Sequence, residues 1–146
     1  MKTKRPACPD EFTLDFAREL VAYLGGDPTQ IIEGDCWGSL GKKYAALMPK
    51  VMRYFERAKK GNVAIAAYSL CRDCNAPLDW AKRQIEHSTG DVAWAAYSLC
   101  RYCGAPLDWS QRQIERGIGD VAWAASLLCR YCGAPPDWAW KIGANV

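Results

Sequence analysis

The stretch Asp91 to Gly119, DVAWAAYSLCRYCGAPLDWSQRQIERGIG, occurs in recognisable form once before itself and once after. Its CxxC cysteines recur as Cys71 and Cys74, Cys100 and Cys103, Cys129 and Cys132, at a spacing of 29 residues. A fixed period of this size marks repeat architectures, in which one unit cannot bury its own apolar face and must stack on its neighbours. It predicts an all-α fold, a short α-solenoid of tandem 29-residue helical-hairpin repeats with an N-terminal helical cap. The chain is then a single domain, with the cap at 1–61, repeats at 62–90 and 91–119, and a truncated third repeat at 120–146.

Each unit is expected to open with a helix, because Asn62, Asp91 and Asp120 stand just before the apolar run. Such side chains accept from the unpaired N–H groups of a first turn. At about 100° per residue, Val92, Ala96, Leu99 and Cys103 gather on a core side, with Ala95 and Cys100 at its margins. Trp94, Tyr97 and Arg101 fall on the opposite side with Ser98, which predicts a second, outward stripe. Gly104, Ala105 and Pro106 end the helix, since glycine accepts the left-handed conformation and proline cannot continue the ladder. Asp108 is then expected to cap a second, shorter helix with Gln111 closing a capping box, and Asp79 and Asp137 to repeat the cap. Leu107 and Ile114 supply its buried side.

The hairpin plan is similar to that of TPR and HEAT-type solenoids, although the TPR pattern is absent and the period is shorter than that of HEAT. That resemblance is architectural and transfers no substrate and no site.

Before the repeats, Asp10 to Leu24 reads as an amphipathic helix with Phe12, Phe16 and Leu20 on one face. Asp27 and Pro28 begin a short helical turn, and Gly34 to Gly41 reads as irregular. From Lys42 to Lys60 the chain carries seven basic residues, Lys42, Lys43, Lys50, Arg53, Arg57, Lys59 and Lys60, against the single acid Glu56. Pro49 is expected to kink or divide this segment. Its tail, RYFERAKKGN, resembles RQIERGIGD, aligning Arg53 with Arg112 and Glu56 with Glu115, and reads as a worn half-unit that caps the stack. The third unit is expected to lose its second helix after Asp137.

The cysteine pairs admit three readings. CRYCGAP resembles the knuckle of zinc-ribbon proteins, so Cys71, Cys74, Cys100, Cys103, Cys129 and Cys132 are candidate zinc ligands. Against that, both cysteines of each pair extend a helical pattern, and three pairs do not divide into all-cysteine sites of four. Cysteine is also a small, frequently buried residue that lets helices pack closely, which makes core packing the favoured reading and leaves no cofactor required. Redox chemistry ranks last, because these thiols sit near helix C-termini, the wrong end of the dipole for a thiolate.

No catalytic constellation is visible. The only histidine, His87, has Arg116 as its counterpart, and the recurring aspartates are accounted for by capping, so the chain is read as non-enzymatic. The outward stripe carries function instead: Tyr68 and Arg72, Trp94, Tyr97 and Arg101, Trp123 and Arg130 are residue types enriched in binding hot spots. They point to a protein partner, in an adaptor, inhibitor or immunity-type role, and the near-identical copies suit a bacterial or phage setting. Trp80, Trp109 and Trp138, each just after an aspartate, read as wedges between hairpins.

An alternative is nucleic-acid binding through Lys42, Lys43, Lys50, Arg53 and Arg57. The net charge of +3 and pI of about 8.4 fall short of a strongly basic footprint. The first ten residues hold no apolar h-region and no run is long enough to cross a membrane, which leads to an expected cytoplasmic location.

Overall fold

A computed structural model describes residues 4–145, and nine α-helices are present among them. They are α1 (Leu14–Tyr23), α2 (Trp37–Lys43), α3 (Met48–Arg57), α4 (Val63–Asp73), α5 (Leu78–Glu86), α6 (Val92–Cys103), α7 (Leu107–Glu115), α8 (Val121–Cys132) and α9 (Pro136–Lys141). Single 3₁₀ turns at Pro28–Gln30 and Ala45–Leu47 join the first three. The helices pack in adjacent pairs, α4 with α5, α6 with α7 and α8 with α9, while α4, α6 and α8 lie side by side.

The close approach of that side-by-side layer follows from its alanines. Ala64, Ala67, Ala93, Ala95, Ala96, Ala124 and Ala125 are all fully buried, and between them stand Leu70, Leu99 and Leu128. A methyl at these positions keeps neighbouring axes near, and the leucines fill what remains; truncating one such leucine to alanine costs about 2–5 kcal/mol. Turns at the ends of α6 and α8 are closed by Gly104 and Gly133, both at φ 78°, each followed by an alanine N–H donated back into the helix. In the first copy Asn75 takes this left-handed place at φ 59°.

Several expected boundaries move. Helix α1 starts at Leu14, because the Thr13 side chain accepts from Phe16 N at 3.1 Å and caps it there. The helical region that begins at Lys42 is divided just before Pro49, which lies in the first turn of α3, where its missing N–H is not needed. The glycine-rich stretch before Lys42 is irregular only as far as Cys36 and helical from Trp37: Ser39 Oγ accepts from Cys36 N at 2.8 Å, and α2 packs on α4. Gly41 is required by that packing, since a Cβ there would fall 2.7 Å from Cys74 Sγ. Tertiary contact overrides helix propensity at this point.

Asp79, Asp108 and Asp137 do not cap. Pro77, Pro106 and Pro135 occupy the cap positions in extended conformation, and each aspartate lies two residues beyond the cap, inside the first turn. Proline's fixed φ starts the helix without a side-chain acceptor, and the aspartates face the positive end of the dipole instead. Asp108 pairs with Arg112 at 3.1 Å rather than forming a box with Gln111. Asp91 holds the cap position but makes no capping bond; Asn62 and Asp120 do cap, accepting from Ile65 N and Trp123 N. The last copy keeps a second helix, the six-residue α9.

The three wedge tryptophans share one contact. Trp80 Nε1 donates to Glu56, Trp109 Nε1 to Glu86 and Trp138 Nε1 to Glu115, each at 2.7 Å. Each indole is thereby tied to a carboxylate 23 or 24 residues earlier. No helix among the described residues is long and apolar enough to cross a membrane.

Candidate partner-binding face

The flanks of α4 and α6 decide which predicted site residues reach solvent. Each helix turns one flank forward onto the next and one back onto the last. Tyr68 faces forward onto α6, its ring 6.4 Å from that of Tyr102, and it is only 8% exposed. Tyr97 is buried to 1% exposure, with Cys132 of α8 among its neighbours. Both tyrosines therefore leave the outward stripe, and Ser98 is buried with them. A helical wheel separates inside from outside but carries no information about lateral neighbours. On α8 the equivalent place is taken by Ser126, which is only partly buried; its hydroxyl donates to the Asn145 carbonyl at 3.3 Å.

The buried phenols hold the arginines. Arg72 donates to Tyr68 Oη at 2.9 Å and Arg101 to Tyr97 Oη at 2.7 Å. Burial pushes both phenols above the ordinary tyrosine range and the guanidinium offsets this only in part, so they remain neutral acceptors. Above them runs an alternating series of cations and rings. Arg72 lies 4.7 Å from the centroid of Tyr102, Arg101 lies 4.9 Å from Tyr102 and 3.8 Å from Tyr131, and Arg130 lies 5.4 Å from Tyr131. Guanidinium stacked on a ring face gains about 0.5–1 kcal/mol at an exposed site. The stack fixes the arginines across three helices, and Asp73 pairs with Arg72 at 4.0 Å.

Tyr102 and Tyr131 are each 47% exposed and were not among the residues expected here. The available signal was the tyrosine that follows the arginine in CRYC, absent from the first copy, where Asp73 stands. Towards the other end of the same helices, Trp94 is 37% and Trp123 57% exposed, and Trp94 packs on Tyr97 at 5.5 Å.

The cysteines follow the same forward and backward rule. Cys71 of α4 stands beside Cys103 of α6, and Cys100 of α6 beside Cys132 of α8, each pair of thiols close enough to act on one another's titration. The first cysteine of each motif faces forward and the second faces back, which accounts for two cysteines one turn apart. At the ends of the series, Cys74 Sγ donates to the Trp37 carbonyl at 3.0 Å and Cys129 Sγ to Pro135 at 3.6 Å. Burial raises the Cys103 thiol to about 12 and the Cys74 thiol to about 11. Such groups stay protonated at neutral pH. Among the described residues, no three histidine, cysteine, aspartate or glutamate side chains come together as a metal would need. The six cysteines therefore do not fit a zinc site, because each motif is divided between two neighbours rather than folded around one ion.

Exposed Cys36 is the exception in reactivity: hydrogen bonds from Ser39 N, Ser39 Oγ and Gly38 N hold its thiol below the ordinary value. His87 is exposed at the end of α5. Of the basic residues, Lys43 is engaged by Asp35 at 2.9 Å and by the Gln30 carbonyl. Lys50, Arg53 and Arg57 share the exposed side of α3, and Lys42 stands apart on α2.

No family model matches the chain, and neither a curated protein nor a solved structure does.

Proposed function

We propose that this is a non-enzymatic helical-repeat protein, a short α-solenoid, that binds a protein partner across the outward face of α4, α6 and α8. The observation that carries the reading is the ordered alternation of Arg72, Tyr102, Arg101, Tyr131 and Arg130, flanked by exposed Trp94 and Trp123. Large rings with polar edges and stacked arginines are what interface hot spots use, and fixing the arginines beforehand lowers the entropy cost of binding. Three guanidinium groups in one band favour a partner surface bearing carboxylates, to which arginine donates in paired geometry. The repeat reading is supported by the 29-residue sequence period and by the recurring tryptophan–glutamate contact, which Glu56 makes to Trp80 just as Glu86 and Glu115 make it to the next two indoles.

The test is affinity capture followed by titration of the purified partner against wild type and the triple variant Trp94→Ala, Arg101→Ala, Trp123→Ala. All three side chains are exposed, so far-UV circular dichroism should be unchanged. Saturable binding lost in the triple variant supports the assignment. A partner retained by that variant with undiminished affinity places recognition elsewhere on the molecule.

A further inference from the structure

The basic residues that matter most in space come from two parts of the chain. An open groove of about 750 Å³ is walled by Lys4 and Arg5 of the N-terminal arm and by Arg57, Lys59 and Lys60 at the end of α3, with Glu19 the only acid on its rim. The arm is fixed there: Tyr54 Oη donates to the Pro6 carbonyl at 2.7 Å, and Asn62 N donates to Pro9 O at 2.9 Å. Arg5 is itself positioned, donating to the Tyr54 carbonyl at 3.2 Å with its guanidinium 5.1 Å from the Tyr54 ring. Bringing five cations around one concavity costs mutual repulsion, which an anionic ligand relieves.

We infer that this groove binds a small ligand bearing a chain of two or three phosphates, of the nucleoside di- or triphosphate or inorganic oligophosphate class. The cavity has the volume of a small-molecule site, roughly 300–1,000 Å³. Each phosphate brings roughly one to two negative charges near neutral pH, so two or three of them balance five cations less one carboxylate. Arginine offers paired donors to phosphate oxygens, and lysine a point charge. The one aromatic ring on the wall, Tyr54, is buried and already faces Arg5, which leaves no free platform for stacking the bases of a single strand. Recognition is therefore by phosphate charge in a compact site rather than along an extended strand.

Calorimetric titration of the full chain with inorganic tripolyphosphate, beside sodium sulfate and a twelve-residue oligothymidylate, tests this. The groove variant Arg57→Ala, Lys59→Ala is compared with Lys50→Ala, Arg53→Ala, which removes equal charge from the same region outside the groove. Expected are one-to-one tripolyphosphate binding, sulfate weaker, and a loss of about tenfold or more in the groove variant, the order of one charge-assisted hydrogen bond. The control pair should change affinity far less. Equal loss in both pairs, or no binding of tripolyphosphate by wild type, overturns the inference. Oligothymidylate bound more tightly than tripolyphosphate, with dependence on Lys50 and Arg53, overturns it in favour of a nucleic-acid track. The protein-partner reading stands or falls separately, since none of these residues lies on that face.

Discussion

Removing one indole N–H should reveal how strongly each hairpin is tied to the one before it. Trp109 is 4% exposed, and its Nε1 donates to Glu86 at 2.7 Å. A hydrogen bond to a charged acceptor contributes about 1.5–3 kcal/mol when shielded from water. Trp109→Phe also loses ring contacts, so the bond is best isolated by a double-mutant cycle with Glu86→Ala. Lys82, 5.6 Å from the same ring, acts equally in both arms of the cycle and cancels. The expected coupling is about 2 kcal/mol, and the single Trp109→Phe change should lower the melting temperature by about 4–8 °C for a chain of this length.

Trp138 and Glu115 make the same bond in a solvent-exposed setting, where water competes, and there the coupling should fall to about 0.5–1 kcal/mol. Urea denaturation followed by circular dichroism measures both cycles at once. Coupling below about 0.5 kcal/mol at Trp109, or equal coupling at the two sites, would refute the argument that burial sets the strength of this contact.

Other outcomes follow from the same packing. Ser98 is 1% exposed and its Oγ has no partner, whereas fully buried Ser110 donates to the Ala96 carbonyl at 3.0 Å. Ser98→Ala should therefore be neutral or stabilising by up to about 1 kcal/mol and Ser110→Ala destabilising by about 1 kcal/mol, as read from urea midpoints. Gly41→Ala should cost about 1–3 kcal/mol through overpacking against Cys74, with part recovered in a Cys74→Ala background. Iodoacetamide at pH 8 should alkylate Cys36 first and Cys103 among the last, because the one thiol is held below and the other far above its ordinary value; peptide mass mapping of a time course reads the order. Oxidised glutathione, reduced to two equivalents of thiol for each bond made, should join Cys71 to Cys103 and Cys100 to Cys132, each closing a loop worth roughly 3–4 kcal/mol. A Cys71–Cys74 bond instead would contradict the forward and backward placement.

Much of the helical layout was legible in the sequence because its signals are local. Glycine and proline end α6 and α8 where expected, Asn62 and Asp120 cap as expected, and Val92, Ala96 and Leu99 are buried as their spacing requires. What escaped depends on neighbours. Tyr68 and Tyr97 were placed outward because a single-helix wheel does not show α6 or α8 closing over their flank. Helix α2 was missed because Gly38 and Gly41 argue against a helix until Cys74 is set beside them. The aspartates after Pro77, Pro106 and Pro135 fit a capping pattern, yet proline already supplies the geometry of the cap. Tyr102 and Tyr131 become a site only when three helices stand in line, and Arg5 joins Arg57 only once the arm has folded back.

The tryptophan–glutamate ties have one more consequence. Each spans 23 or 24 residues of chain, and none requires the two ends of the molecule to find one another. Contacts of such short sequence separation keep the entropy of loop closure small and set a fast folding rate. A chain wired in this way can make each tie as soon as the hairpin that carries the indole has folded, before the residues beyond it are in place.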